Sequence, residues 1–527
     1  MGEAAVSGKA GNGAEALPKD RVVAVVGAGT MGSGIAQVAA VAGHPVLLFD
    51  SIAGAAGRGL EAIAANLARM VAKGSLDEAG RGAILDRIRT CDDLAALAGA
   101  GLVVEAIVED PAAKRALFTA LEDVVPDDCI LATNTSSLSI ESVGAPLARP
   151  ERLAGLHFFN PAPLMALVEV VRGRATDPAI ADRLLATAAA WGKIPVLARS
   201  TPGFIVNRVA RPFYAEALRV LAERAAVPAA LDAVMRGCGG FRMGPCELMD
   251  LIGHDVNYAV TRSVWDAFHN DPRFQPSPVQ RELVEAGWLG RKSGRGFYDH
   301  RPGAAAPDPG FAPAASVPLP ASVTVAGSLG FAAPLLDRIR AAGIAVESAA
   351  EQTAGPGLLR LGGVTLAPTD GRLATERAAE SGGQLVLFDW ALDWAKAGTI
   401  ALAPARQTSA AATAAAVRLF QALGMSVALI DDVPGMIVAR TVAMLVNEAA
   451  DALNQGVADA HAIDLAMTRG VNYPIGPLAW GDRVGAAFVL CTLDNLARTY
   501  GEDRYRASPL LRRCALAGVP LLNEKEQ

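Results

Sequence analysis

The sequence predicts an α/β plus all-α chain, in which a doubly wound parallel-sheet domain and a helical domain are followed by a degenerate copy of the first and a second copy of the other. Three observations predict it. A Val-rich run, Val22-Val-Ala-Val-Val26, feeds the turn Gly27-Ala28-Gly29-Thr30-Met31-Gly32 and then a helix-forming stretch. After Thr201-Pro202-Gly203 the strand signals cease and helical ones dominate. Finally, Pro202-Gly-Phe-Ile-Val-Asn-Arg208 recurs 232 residues on as Pro434-Gly-Met-Ile-Val-Ala-Arg440, and the same shift carries Glu216 onto Glu448, Asp232 onto Asp464 and Gly244-Pro245 onto Gly476-Pro477.

Taken in order, residues 1–20 are Ala/Gly-rich, lack the apolar core of a signal peptide, and are too poor in Arg for a transit peptide. They are expected to be a disordered tail on a cytoplasmic protein. Residues 21–200 form the first sheet domain. Its glycine triplet is a phosphate cradle: Gly27 permits the tight turn, Gly29 lets backbone approach a pyrophosphate, and Gly32 lets helix and strand pack closely. Thr30 and Met31 contribute N–H groups of the new helix. The next strand ends in Asp50, near the offset at which an acidic residue accepts the ribose 2′-OH and repels a 2′-phosphate, so a Rossmann-type domain binding NAD rather than NADP is expected. Further strands are read at Leu102–Glu105, Ile130–Thr133, Leu167–Val171 and Pro195–Ala198, and residues 51–89 as an inserted helical hairpin.

Residues 201–300 are expected to be the helical domain and 301–320 a Pro/Ala linker. Residues 321–431 form the degenerate sheet domain: Ser322-Val-Thr-Val-Ala-Gly-Ser-Leu-Gly330 starts like a strand and turn, but has lost two glycines of the triplet and has no acidic partner. Residues 432–527 are the second helical copy. Composition limits the partners. A formal charge of −6 offers no field for nucleic acid or anionic lipid. Residues 22–49 carry no Asp, Glu, Lys or Arg, yet Gly, Ser, His44 and Pro45 break them into strand, turn, helix and strand, which argues for a buried sheet over a membrane span. The six cysteines show no metal-ligand spacing, so reduced thiols and no metal are expected.

Chemistry is carried by a lone imidazole and a lone carboxylate on neighbouring apolar segments, Leu156-His157-Phe-Phe-Asn160-Pro161 and Leu167-Val-Glu169-Val-Val171. A Glu inside a buried strand has to be protonated or paired, and His157 is an available partner that could act as a base; a purely structural hydrogen bond is the competing reading. The other five histidines lack such a neighbour in sequence and are expected to be capping or surface residues.

With these motifs, Asn134-Thr-Ser136-Ser-Leu138, Thr201-Pro-Gly-Phe-Ile-Val-Asn207-Arg208, Met243-Gly-Pro245 and Gly290-Arg-Lys292-Ser-Gly-Arg-Gly-Phe-Tyr298 complete a resemblance to the 3-hydroxyacyl-CoA dehydrogenase family. The tandem layout and the ending Tyr500-Gly-Glu-Asp-Arg-Tyr-Arg506 are similar to the long bacterial members that oxidise 3-hydroxyadipyl-CoA in phenylacetate catabolism. The resemblance implies that His157 takes the alcohol proton, Glu169 orients it, and Ser136 and Asn207 hydrogen-bond the 3-oxygen, completing the site from both domains. It implies NAD contacts at Asp50, Glu109, Lys114, Asn160 and Lys292, with Asn134 near the nicotinamide. It places coenzyme A on the hairpin at Lys73 and at Asn66, where relatives carry Ser. A homo-oligomer is left open. The alternatives are 3-hydroxybutyryl-CoA as substrate, a relative acting on a free hydroxy acid or sugar acid, and a non-catalytic NAD-binding structural protein.

Overall fold

The computed structural model describes residues 14–349 and 357–522. Two compact units result, Met1–Asn207 with Gly456–Val471, and Arg208–Gln455 with Asn472–Gln527. The first is built on eight strands: β1 (Val22–Val26), β2 (Val46–Phe49), β3 (Ile88–Cys91), β4 (Ala100–Glu105), β5 (Ile130–Thr133), β6 (Leu153–Phe158), β7 (Leu167–Arg172) and β8 (Ile194–Arg199). Their order is β3-β2-β1-β4-β5-β6-β7-β8. Only β7 and β8 run against the rest, β7 being antiparallel to β6 and parallel to β8. Strand order reverses between β1 and β4, and the carboxyl ends of those two strands are where a doubly wound sheet offers a crevice.

The uncharged run found in the sequence makes this core. Val23, Val25, Ile35, Ala39, Leu102 and Val104 pack together, so β1 and its helix Thr30–Val41 are buried as a unit. Helix Ala55–Ala72 buries only Ala56, Gly59, Ile63 and Leu67, a narrow stripe that holds one edge while the rest stays in solvent. It pairs with helix Glu78–Leu85 as the expected hairpin. Ile88–Cys91, at the end of the stretch read as helical, is instead an edge strand on β2. The tail also needs correcting: Leu17 is buried and its N–H donates to Thr187 Oγ1 at 2.9 Å, so residues 14–20 are not disordered, while residues 1–13 lie outside the described residues.

In the second unit, helices Arg211–Ala222, Pro228–Gly237, Pro245–Ile252, His254–Ala267 and Pro278–Glu285 form the first helical copy. No helix or strand forms over residues 301–320. The second sheet follows, with β9 (Ser322–Ala326), β10 (Ala345–Ser348), β11 (Leu358–Leu361), β12 (Val364–Pro368), β13 (Gln384–Phe388), β14 (Thr399–Pro404) and β15 (Ser426–Leu429) in the order β10-β9-β11-β12-β13-β14-β15. Here β11, antiparallel to β9 and β12, stands where β1 meets β4 directly in the first sheet.

Helix Val438–Asn454 of the second copy packs on Arg211–Ala222 of the first through reciprocal buried ion pairs. Arg208 Nε donates to Glu448 at 2.6 Å and Arg440 Nε to Glu216 at 3.2 Å, so residues related by the 232-residue shift exchange partners about a pseudo-twofold axis. Each clamp is completed by further groups, Asp451 on Arg208 and Tyr505 on Arg440. Such pairs fix register, because a misaligned copy would leave charges buried and unpaired.

Candidate active site

Gly27, at φ +103°, follows β1 so closely that a Cβ there would lie 2.5 Å from the Ala106 carbonyl oxygen after β4. A Cβ on Gly32 would collide with the Gly27 carbonyl, whereas one on Gly29 would meet nothing within 4 Å. Gly29 also caps helix Thr30–Val41 without a side-chain hydrogen bond, and no acidic residue stands in the first turn. The helix start is thus uncapped by any side chain and exposed at Gly29 and Thr30, which fits a dinucleotide pyrophosphate. Asp50 stands at the end of β2, its carboxylate accepting from Ala28 N at 2.7 Å and Ile52 N at 2.9 Å, so it is held beside the turn.

The antiparallel pairing of β6 with β7 puts His157 directly opposite Glu169. His157 Nδ1 lies 2.6 Å from Glu169 Oε2, and both side chains are buried. Because a carboxylate only accepts, Nδ1 donates, and in the neutral ring Nε2 then carries the lone pair. Glu169 is fixed a second time: Oε1 accepts from Ile205 N and Val206 N, each at 3.0 Å. Gly203 at φ +74° and Phe204 at φ +47° make the turn that delivers those two N–H groups. Phe159 and Phe204 rings flank the imidazole at 4.5 and 5.9 Å.

A second carboxylate organises the loop after β5. Glu109 Oε1 accepts from the hydroxyl of Thr135 at 2.7 Å, from Ser136 N at 2.9 Å and from Ser137 N at 3.1 Å. Burial works against its charge, but Thr135, Lys114, Ser136 and Ser137 outweigh it and hold the carboxyl below its usual range. Lys114 is itself buried, between Glu105 at 2.5 Å and Glu109 at 3.3 Å. Asn207 Nδ2 reaches the Ser136 carbonyl at 3.4 Å, and Asn134 Oδ1 accepts from Phe158 N at 2.8 Å, one residue from His157. The structure therefore brings His157, Glu169, Glu109, Ser136, Asn134 and Asn207 into one linked group. Asn160 is exposed in the loop beyond it.

On the hairpin, Asn66 spends its amide on Gln37 at 3.1 Å and on Arg69 at 2.5 Å, and Lys73 is exposed at the end of the same helix. Lys292 belongs to the second unit, where it pairs with Asp255 at 2.6 Å.

Several residues escaped the sequence reading. Glu105, at the end of apolar β4, takes Lys114, Ile107 N and the Thr133 hydroxyl. A lone acid in an apolar strand, the signal that exposed Glu169, was there to find it. Lys193 Nζ donates to the Ala162 and Met165 carbonyls at 2.6 and 2.8 Å, pinning the loop that carries Asn160. Two histidines expected to be capping or surface groups are partners of one buried acid: His254 and His300 each place Nε2 2.7 Å from Asp250. His254 sits four residues from Asp250 on the next helix, and His300 arrives by the closing loop, a contact sequence spacing could not reveal. Among the described residues, no group of three His, Cys, Asp or Glu is arranged to hold a metal ion, and no helix is long and apolar enough to cross a membrane.

Comparison with known proteins covers nearly the whole chain. Residues 22–201 match the 3-hydroxyacyl-CoA dehydrogenase NAD binding domain, residues 203–300 and 435–525 the C-terminal domain of that family, and residues 366–434 the 3-hydroxybutyryl-CoA dehydrogenase reduced Rossmann-fold domain. A 3-hydroxyadipyl-CoA dehydrogenase of Escherichia coli K12 is 45% identical over 502 residues, covering 94% of this chain and 98% of the relative. A probable 3-hydroxybutyryl-CoA dehydrogenase of Bacillus subtilis is 43% identical, with 53% of this chain covering 96% of it. The crystal structure of a 3-hydroxybutyryl-CoA dehydrogenase from Escherichia coli K12 superposes with a TM-score of 0.86 at 44% identity, covering 95% of this chain and 99% of that one. With its NAD-binding domain, its duplicated C-terminal domain and a full-length relative of this kind, the chain belongs to the 3-hydroxyacyl-CoA dehydrogenase family, the NAD-dependent oxidoreductases of 3-hydroxyacyl-CoA.

Proposed function

We propose that the chain oxidises (S)-3-hydroxyacyl-CoA to 3-oxoacyl-CoA with NAD, and that its substrate is 3-hydroxyadipyl-CoA. The observation that carries the chemistry is the buried His157–Glu169 pair, doubly anchored on Glu169 and open at His157 Nε2. Bound NAD supplies the nicotinamide carbon that accepts the hydride. His157 Nε2 takes the hydroxyl proton as that hydride leaves, and the resulting imidazolium is stabilised by Glu169. Ser136 and Asn207 hold the 3-oxygen, with Glu109 fixing the Ser136 loop.

For NAD, the reading assigns the pyrophosphate to Gly27, Gly29, Thr30, Met31 and Gly32 and the ribose to Asp50. Glu109, Lys114, Asn134, Asn160 and Lys292 complete the cofactor set, Lys114 acting from its buried position through Glu109. Lys73 and Asn66 are assigned to coenzyme A. A cytoplasmic location accords with a diffusible acyl-CoA substrate.

The choice of 3-hydroxyadipyl-CoA rests on the relative that spans both halves of the chain, whereas the Bacillus relative covers about half of it. The short-chain reading is favoured by the name of the superposed crystal structure. Steady-state kinetics with NAD and 3-hydroxyadipyl-, 3-hydroxybutyryl- and long-chain 3-hydroxyacyl-CoA separate the two. The highest kcat/KM is expected for the adipyl thioester; a higher value for the butyryl thioester would transfer the assignment, and no NADH from any of them would overturn the reading.

A further inference from the structure

The sheet that carries His157 and Glu169 is completed by a piece of the other half of the chain. Val457 O accepts from Arg199 N at 2.8 Å at the end of β8, and helix Ala460–Gly470, with Ala462, Ile463, Ala466, Met467 and Gly470 buried, packs on β7 and β8. Gly470, in its last turn, is pressed against two residues that bear on Glu169. A Cβ there would lie 2.5 Å from Leu167 Cδ2 and 3.2 Å from Val206 Cγ2. Leu167 is two positions before Glu169 on β7 and so faces the same side of the strand, and Val206 donates one of the two backbone N–H bonds that orient the Glu169 carboxylate.

A related contact occurs in the second unit, one residue out of step with the 232-residue shift, which places Cys238 and not Gly237 at the position of Gly470. There helix Pro228–Gly237 packs on β14, and a Cβ on Gly237 would lie 2.5 Å from Cβ of Thr399, the residue 232 positions beyond Leu167. Where Glu169 follows Leu167, Ala401 follows Thr399. The molecule thus contains two related glycine-to-strand contacts, one behind a carboxylate that pairs with an imidazole and one behind a strand without such a group.

We propose that Gly470 is a positioning residue for the reaction: the second half, which lacks the parts of a dyad, sets the geometry of the first half's dyad through helix Ala460–Gly470, Leu167 and Val206. A Cβ at 470 has to displace the Leu167 and Val206 side chains, one on the strand that carries Glu169 and one on a residue whose N–H anchors it, and that strain passes to the Glu169 carboxylate and His157 while the NAD cradle at the end of β1 is untouched. This rests on the reading of His157 and Glu169 as the reacting pair, which His157→Gln tests separately.

The experiment compares Gly470→Ala with Gly237→Ala in the full-length protein. Gly470→Ala is expected to lower kcat by about tenfold or more, since sub-ångström displacement of reacting groups is expensive, with the KM for NAD held within about twofold. Gly237→Ala lowers thermal stability and leaves kcat unchanged. Leu167→Ala and Thr399→Ala form a second pair that loosens the same contacts without adding bulk, and serve if either alanine variant at glycine fails to fold; only Leu167→Ala is expected to reduce kcat. Equal effects on kcat within a pair, or none from either member, would overturn the proposal.

Discussion

The two sheets of this chain solve one structural problem with different residues, and only one solution is left with chemistry to spare. In each half, the Pro-Gly-x-Ile-Val turn opens a helix whose first N–H groups are buried and need an acceptor. In the first, Glu169 on β7 accepts from Ile205 and Val206 and still has an oxygen for His157. In the second, the residue opposite Ala401 is Asp389, 232 positions after His157, and it reaches the helix itself, accepting from Ile437 and Val438 on one oxygen and from Ala439 and Trp390 on the other. Its carboxylate is fully engaged, and among the described residues no imidazole or second carboxylate hydrogen-bonds to it. The rest of that half is closed too. Gly357 N–H donates to Ser328 O at 2.7 Å across the turn after β9, where the first sheet leaves its cradle open. Rings of Phe331, Trp390 and Phe488 pack at 5.4 to 5.6 Å between the sheet and its helices. The helix N–H groups are capped in both halves; an imidazole stands beside the capping carboxylate in one.

The most forceful way to break this comparison is His157→Gln. Turnover is expected to fall by about two to four orders of magnitude with NAD affinity nearly intact, the range for a lost general base; turnover near wild type would remove His157 from the mechanism. Next come the clamps that join the copies. Glu216→Ala and Glu448→Ala each remove one carboxylate from a buried Arg that keeps other partners, Glu223 on Arg440 and Asp451 on Arg208, and should cost up to about 3–5 kcal/mol of unfolding free energy in chemical denaturation, alike in size if the pseudo-twofold is real and markedly unequal if it is not. Asp50→Ala should then raise the KM for NAD by about tenfold to a hundredfold, the worth of a hydrogen bond to a charged group, and erase the preference over NADP; an unchanged NAD to NADP ratio would show that selectivity lies elsewhere.

Asp389 supplies the most diagnostic effect, one that leaves turnover untouched. Burial pushes its carboxyl up to about 6 in spite of four backbone N–H donors. The folded protein therefore holds this proton to higher pH than the unfolded chain does, and stability falls as pH rises from about 4 to about 6, by about 3 kcal/mol at most for this group. In Asp389→Asn that dependence is absent, so the stability gap between wild type and variant should narrow from pH 4 to pH 7 while kcat stays the same. A gap independent of pH would show that Asp389 stays ionised throughout.

Much of this was legible because it is local. A glycine triplet after a Val-rich strand, an acid at the end of the next strand, and a His and a Glu marooned in apolar strands each announce themselves within a few residues. The pairing of His157 with Glu169 followed from the cost of burying a carboxylate alone. What could not be read depends on contacts across many residues. Lys114 looks like a free cation until Glu105 and Glu109 are seen around it. Strand β3 was hidden because four residues of Ile-Arg-Thr-Cys carry little periodicity. Asp389 reads as an ordinary acid beside Trp390 unless β13 and β14 are placed in register, and nothing in residues 460–470 says that they complete the first sheet.

The central claim is that one half of the chain holds a working site and the other its closed counterpart. Calorimetric titration of the full-length protein with NADH tests it most directly: one site per chain is expected, abolished by disrupting the Gly27–Gly32 cradle and untouched by Asp389→Asn, whereas two sites per chain would contradict it.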